Sequence, residues 1–209
     1  LTESVGAILV TVGLMPIFAA STNMIATMRG NASAVIASPG ATAAAGAAIL
    51  LPVFAILSYF TGLNVMIGDG SLSNVADSSN MAYFYTVGGL FAMAALFHSY
   101  PLAANKTLKG SAGTASWLVI FGGLLSTILF LMYGWTENSL LEVNVTVIDL
   151  VEENDVLATK ITGFALTGAF AFYGLVLGYL MTGNVVVKTL MSGDNASASS
   201  TGESDISTY

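Results

Sequence analysis

The sequence predicts an all-α integral membrane bundle of five transmembrane helices, N-terminus outside and C-terminus inside. Three observations carry that prediction. Hydrophobic residues make up 55% of the chain and charged residues only 8%, with a mean hydropathy of +0.80. A surface of that composition suits lipid, which requires no charges, and not water. Five apolar runs are long enough to cross a hydrocarbon layer of about 30 Å at about 1.5 Å per residue. Basic and acidic residues also alternate from one connection to the next, which sets the orientation.

The organisation follows as one membrane domain, residues 1–191, and a tail, 192–209, rich in Ser, Thr and acids and without periodicity, expected to be disordered. The first span, at about residues 2–28, lies between Glu3 and Arg29 and has neither the basic start nor the small-residue cleavage site of a signal peptide. Pro16 sits mid-span and predicts a kink. A short polar turn, Asn31 to Gly40, leads to the second span at 41–63, which opens on ATAAAGAA around Gly46. Small residues let helices approach closely where lipid offers no hydrophobic drive, so this half is expected to face protein. A polar loop with Asp69 and Asp77 follows.

The third span, 81–104, contains Gly88 and Gly89 and the only histidine, His98. Pro101, Lys106 and Lys109 mark its exit. The fourth, 111–135, carries Trp117 near one end and Tyr133 and Trp135 near the other, an interfacial aromatic belt. An acidic loop, 136–157, precedes the fifth span at 158–183, where Gly174 and Gly178 form a small-xxx-small face for packing on another helix or a partner.

Arg29, Lys106, Lys109 and Lys188 place the first and third connections and the segment after the fifth span inside; Lys160 is the one dissenter. The acidic loop then lies outside, where Asn144, followed by Val145 and Thr146, is an acceptor site for a glycan. The net charge of −7 comes from loops and tail, which argues against nucleic acid as a partner. There are no cysteines, so disulfides and thiolate chemistry are excluded. Enzymes embedded in a bilayer display ionisable residues within their spans, and these spans are almost bare. His98 is alone, so no histidine pair can bracket a haem or copper. Asn23 reads as a hydrogen-bonding residue between helices, and the Ser58–Tyr59 and Tyr83–Phe84–Tyr85 groups as aromatic packing at the interface, with contact to a quinone or lipid as the alternative. Catalytic and metal-binding residues are accordingly expected to be absent.

PIFAASTNMIATMRG, Pro16 to Gly30, resembles the eighth helix of haem–copper oxidase subunit I, in which a proline precedes a polar, kinked helix ending in Leu-Ala-Thr-Leu and a small residue. FYTVGGLFAMAALFHSYPL, Phe84 to Leu102, is similar to the second half of that family's tenth helix, where a Gly- and Ala-rich run with Phe-Ala leads to a His and then Pro-Leu. The resemblance implies that the five spans correspond to the last five of twelve, in the same orientation as the loop charges give. It also implies that function has been lost. Aligned on His98 and Pro101, the two haem-ligating histidines fall at Asn80 and Ala82, and the proton-channel lysine falls at Ala20. The arginine pair for haem propionates has no counterpart after Trp135.

The expectation is therefore a non-catalytic membrane subunit of a respiratory terminal oxidase or related electron-transfer complex in a prokaryotic plasma membrane. It would bind no cofactor itself and pack beside a partner that holds haem and copper. The competing expectation is an unrelated five-span structural or transport protein, although a transporter should carry paired broken helices or an intramembrane charge.

Overall fold

The computed structural model describes residues 2–67, 75, 77, 80, 83–141 and 155–192. The acidic stretch 142–154 with Asn144, and the tail from 193 on, lie outside the described residues. Among those described, the architecture is helical throughout and contains no strand. Its elements are α1 (Thr2–Met28), α2 (Ala32–Ala37), α3 (Pro39–Ile67), a π-helical turn (Tyr83–Gly88), α4 (Gly89–Ala104), α5 (Ala112–Leu141) and α6 (Asp155–Ser192). Five apolar segments, Val5–Met28, Pro39–Leu63, Phe84–Ala104, Ala112–Thr136 and Thr159–Met191, are each long enough to cross a membrane. The chain is a five-span membrane bundle.

α3 is the central helix, touching α1, α2, α4, α5 and the π-turn. Its small-residue opening supplies buried Ala43 and Ala47, and Gly46 allows Ile120 of α5 to approach: a Cβ there would stand 2.6 Å from Ile120 Cδ1. Deeper along the helix, Leu50, Leu51 and Phe54 meet Leu90, Met93 and Phe97 of α4 in the core. α1 leans on α3, joined at one point by the Thr11 and Tyr59 hydroxyls 3.0 Å apart, and turns most of its remaining surface outward. Large apolar side chains are exposed on every span, among them Ile8, Phe60, Phe84, Phe121 and Phe170. In a bilayer these meet lipid tails and need no further cover.

The most extensive contact joins α5 and α6. Ile161, Gly168, Leu175, Thr182 and Thr189 are buried on α6 at seven-residue intervals, with Gly178 and Val185 on a second line of the same period. Apolar or small residues recurring every 3.5 positions on average make a coiled-coil seam. Here Gly and Thr take four of those seven seam positions, so backbones come close. A Cβ on Gly122 would lie 2.6 Å from the Leu175 amide nitrogen, and one on Gly178 would lie 3.0 Å from the Ala115 carbonyl oxygen. Where both solvent and interface are apolar, this dense van der Waals contact supplies the attraction that burial supplies in water.

Several boundaries differ from the sequence expectation. The turn at Asn31 to Gly40 contains α2, which has no buried residue and caps α3 through Val35, whose carbonyl accepts from Thr42 Oγ1 at 2.9 Å. By contrast α1, with Pro16 inside it, has the bounds the sequence gives, and α4 passes Pro101 to end at Ala104, where the third span is expected to end. That helix closes with Asn105 in the left-handed region (φ 51°), the Asn105 amide donating to the Leu102 carbonyl and the Lys106 amide to that of Pro101. This is the Schellman arrangement, with Asn in the place where Gly is commonest.

The largest difference is α6, which runs to Ser192 and not to Gly183. The sequence ends the span at Gly183 with Lys188 beyond it, but the end of α4 and the loop after it hold the following turns. Tyr100 donates its hydroxyl to the Val186 carbonyl at 3.3 Å, and the Lys109 amide donates to Thr189 Oγ1 at 3.0 Å. Lys106 Nζ donates to the Leu190 carbonyl at 2.8 Å, satisfying one of the acceptors that a helix C-terminus leaves open. Lys106→Met is expected to weaken that last turn by about 0.5–1 kcal/mol. Amide exchange over 188–192 should then run roughly two- to fivefold faster, and unchanged exchange would mean that the contact contributes nothing.

Candidate functional site

The irregular element of the bundle is the π-helical turn YFYTVG, Tyr83–Gly88, at the start of the third span. A π-turn carries one extra residue per turn, costs packing regularity and is found mostly where a helix does something besides span. In this chain α5 and α6 hold it from two sides. Tyr179 of α6 donates its hydroxyl to the Tyr85 carbonyl in a short hydrogen bond. Gly89 makes that reach feasible, since a Cβ there would fall on the Tyr179 hydroxyl and stand 2.6 Å from its Cζ. One heptad before Tyr179 on the same face, Phe172 packs edge-on against the Tyr85 ring, with centroids 6.1 Å apart and planes at 85°.

On the α5 side, Thr86 is buried against Gly123, where a Cβ would clash with the threonine side chain. The Gly123 carbonyl accepts from Ser126 Oγ at 3.0 Å and Thr127 Oγ1 at 2.5 Å. Hydroxyls that bond back to their own helix in this way satisfy themselves without a partner helix. Thr86 Oγ1 is different, being buried with no hydrogen-bond partner among the described residues. Among the described residues the site thus gathers two carbonyls, two phenols and three aliphatic hydroxyls, all neutral. Such a set orients and packs; it offers no carboxylate or imidazole for proton transfer.

The residues singled out in the sequence divide in two groups. Gly46, Gly89, Gly174 and Gly178 all sit at contacts within the chain: Gly46 under Ile120, Gly89 under Tyr179, Gly174 opposite Gly122, and Gly178 against Val119. Gly88 is exposed and a Cβ there would meet nothing within 4 Å. His98 and Asn23 are exposed as well. Trp117 stacks on Phe121 at 5.3 Å, and Tyr59 packs edge-on against Phe60 at 5.4 Å. Among the described residues no three His, Cys, Asp or Glu side chains lie together as a metal site requires.

Sequence reasoning missed Gly122, Gly123, Thr86 and Tyr179. The signal for the first was present as the seven-residue recurrence of apolar and small side chains along 161–189, Gly168 among them, which pairs two helices and favours small residues on both. For Tyr179 there was none, because nothing local tells a membrane tyrosine which carbonyl it will find. No protein-family model, no curated protein and no solved structure matches this chain.

Proposed function

We propose that this chain is a non-catalytic, multi-pass subunit of a respiratory terminal oxidase or related electron-transfer complex in a prokaryotic plasma membrane, packing beside the subunit that holds haem and copper. The observation that carries the reading is the outward line of α4. Gly88, Ala92, Ala95 and Ser99 are all exposed and recur at four- and three-residue steps, the spacing at which a second transmembrane helix can bring its backbone close. Lipid tails gain nothing from such a line, whereas a partner helix does. The kind of partner comes from the resemblance of Phe84 to Leu102 and of Pro16 to Gly30 to oxidase helices. α1 adds to the same reading, since Thr22 and Asn23 are polar, exposed and within a span, where a partner's hydrogen bonds would be welcome.

The test is isolation of the complex through this chain from native membranes in mild detergent, with identification of co-purifying subunits and a reduced-minus-oxidised haem spectrum. A haem-bearing oxidase subunit is expected to accompany it. Ala92→Leu with Ala95→Leu, which fills the outward line without touching the core, should cut the co-purifying subunit severalfold while the chain itself stays folded. Isolation alone and free of haem would remove this reading.

A further inference from the structure

The threonines of the regular helices follow one habit. Buried Thr61, Thr127 and Thr182 each donate their hydroxyl to the carbonyl four residues back on their own helix. Thr11, Thr136 and Thr167, nearer the surface, do the same. Thr86 does not: it is 1% exposed, and its Oγ1 has no hydrogen-bond partner among the described residues. The cause is the π-turn it sits in, whose wider ladder carries the carbonyls of the preceding turn away from where an α-helical threonine finds them. The same turn has a second consequence. Where a π ladder passes into an α ladder one carbonyl is left over and needs a donor from outside the helix. The Tyr85 carbonyl, inside the turn, takes the Tyr179 hydroxyl of α6. One bond across helices is made where one within the helix is forgone. Closing the turn into α-helix reverses both, since Thr86 regains a carbonyl of its own preceding turn and Tyr179 loses the one it holds. The count is equal in the two arrangements, so hydrogen bonding alone favours neither.

We propose that Tyr83–Gly88 is a two-state switch between π-turn and α-helix, with Tyr179 as the latch of the first state and Thr86 as the latch of the second. Removing the extra residue from the turn rotates the chain before it by about 100° and shifts it about 1.5 Å along the axis. Phe84 and Tyr85 swing with it, and Tyr85 leaves its edge-on contact with Phe172. Gly123, on which the Thr86 side chain rests, has no side chain to hold the threonine in one orientation. Phe84 and Tyr85 are both exposed, so a neighbour packed against them from the bilayer favours one state over the other. The switch rests on this chain's own geometry and does not depend on an oxidase partner.

The experiment takes the full chain in nanodiscs, isotope-labelled at Tyr, Thr and Gly, and reads backbone carbon shifts and NMR relaxation dispersion at Tyr83, Tyr85, Thr86 and Gly88. The unaltered chain is expected to show the π pattern, with microsecond-to-millisecond exchange toward a minor α form. Tyr179→Phe should raise the α share about fivefold, the effect of one lost hydrogen bond. Thr86→Val should lower it by a similar factor and flatten the dispersion, and in the double variant the two should offset. Thr167→Val, which removes a back-bond from the regular part of α6, should leave the segment unchanged. Shifts that keep the π pattern in Tyr179→Phe would overturn the proposal, as would a conversion of equal size in Thr167→Val. If Tyr179→Phe fails to fold, the unaltered chain decides: dispersion must be present there and lost in Thr86→Val, and its absence, or its persistence in Thr86→Val, overturns the switch.

Discussion

Gly178→Leu is expected to destabilise the bundle by about 3 kcal/mol, the upper part of the range for overpacking. The Cβ alone would come within 2.6 Å of Val119 Cγ2 and 3.0 Å of the Ala115 carbonyl oxygen. Backbone cannot swing aside as a side chain can, so α5 and α6 would have to separate along the seam. For a chain of this size that corresponds to a fall of roughly 6–12 °C in the unfolding midpoint, measured in nanodiscs by circular dichroism. Gly122→Leu, whose Cβ meets the Leu175 amide nitrogen at 2.6 Å, should behave alike. The comparison that decides is Gly163→Leu on the same α6, where a Cβ meets nothing within 4 Å. If Gly163→Leu and Gly178→Leu lower the midpoint equally, the close approach of the two helices is not what holds them.

The second large effect belongs to the π-turn. Gly89→Ala places a methyl group where the Tyr179 hydroxyl sits, within 2.6 Å of Cζ and 2.8 Å of Cε1, and is expected to lose about 2 kcal/mol. Tyr179→Phe removes the donor to the Tyr85 carbonyl and should lose about 1 kcal/mol. Their shared cause predicts non-additivity. In a Tyr179→Leu background, which clears the ring tip, Gly89→Ala should lose no more than about half as much, a coupling of about 1 kcal/mol. Strict additivity would mean that Gly89 is required for some reason other than the phenol above it. An amide-frequency shift at Tyr85 on Tyr179→Phe, read by NMR in nanodiscs, reports the hydrogen bond directly.

The five spans were legible because a bilayer imposes a length. Val5–Met28 and Ala112–Thr136 could be read from apolar runs alone, since no other soluble or membrane element needs so many. What lay outside that rule was set by contacts distant in sequence. α6 passes Gly183, Asn184 and Lys188 as an unbroken helix because Tyr100, Lys106 and Lys109, some eighty residues earlier, bond its last turns. The π-turn depends on an interaction across 94 residues, between Tyr179 and Tyr85, and a local pattern cannot hold that information. The candidate packing glycines were legible in kind and not in partner. Gly46, Gly89, Gly174 and Gly178 meet Ile120, Tyr179, Gly122 and Val119 in turn, while Gly88, their neighbour in sequence, points away. Adjacent helix positions are about 100° apart, so two glycines in a row cannot serve one contact.

The way α1 leans on α3 alone has a consequence for how the molecule comes apart. Cooperative melting requires that each element lose most of its contacts when any other leaves. α3 through α6 meet that condition, since the core of Phe54, Leu90, Val119 and Leu175 draws on each of these helices. α1 supplies no buried residue to that core and has one substantial neighbour, α3. It is therefore expected to open as a separate cooperative unit at a lower free energy than the rest, parting sideways into lipid and returning while the remaining four helices keep their registry.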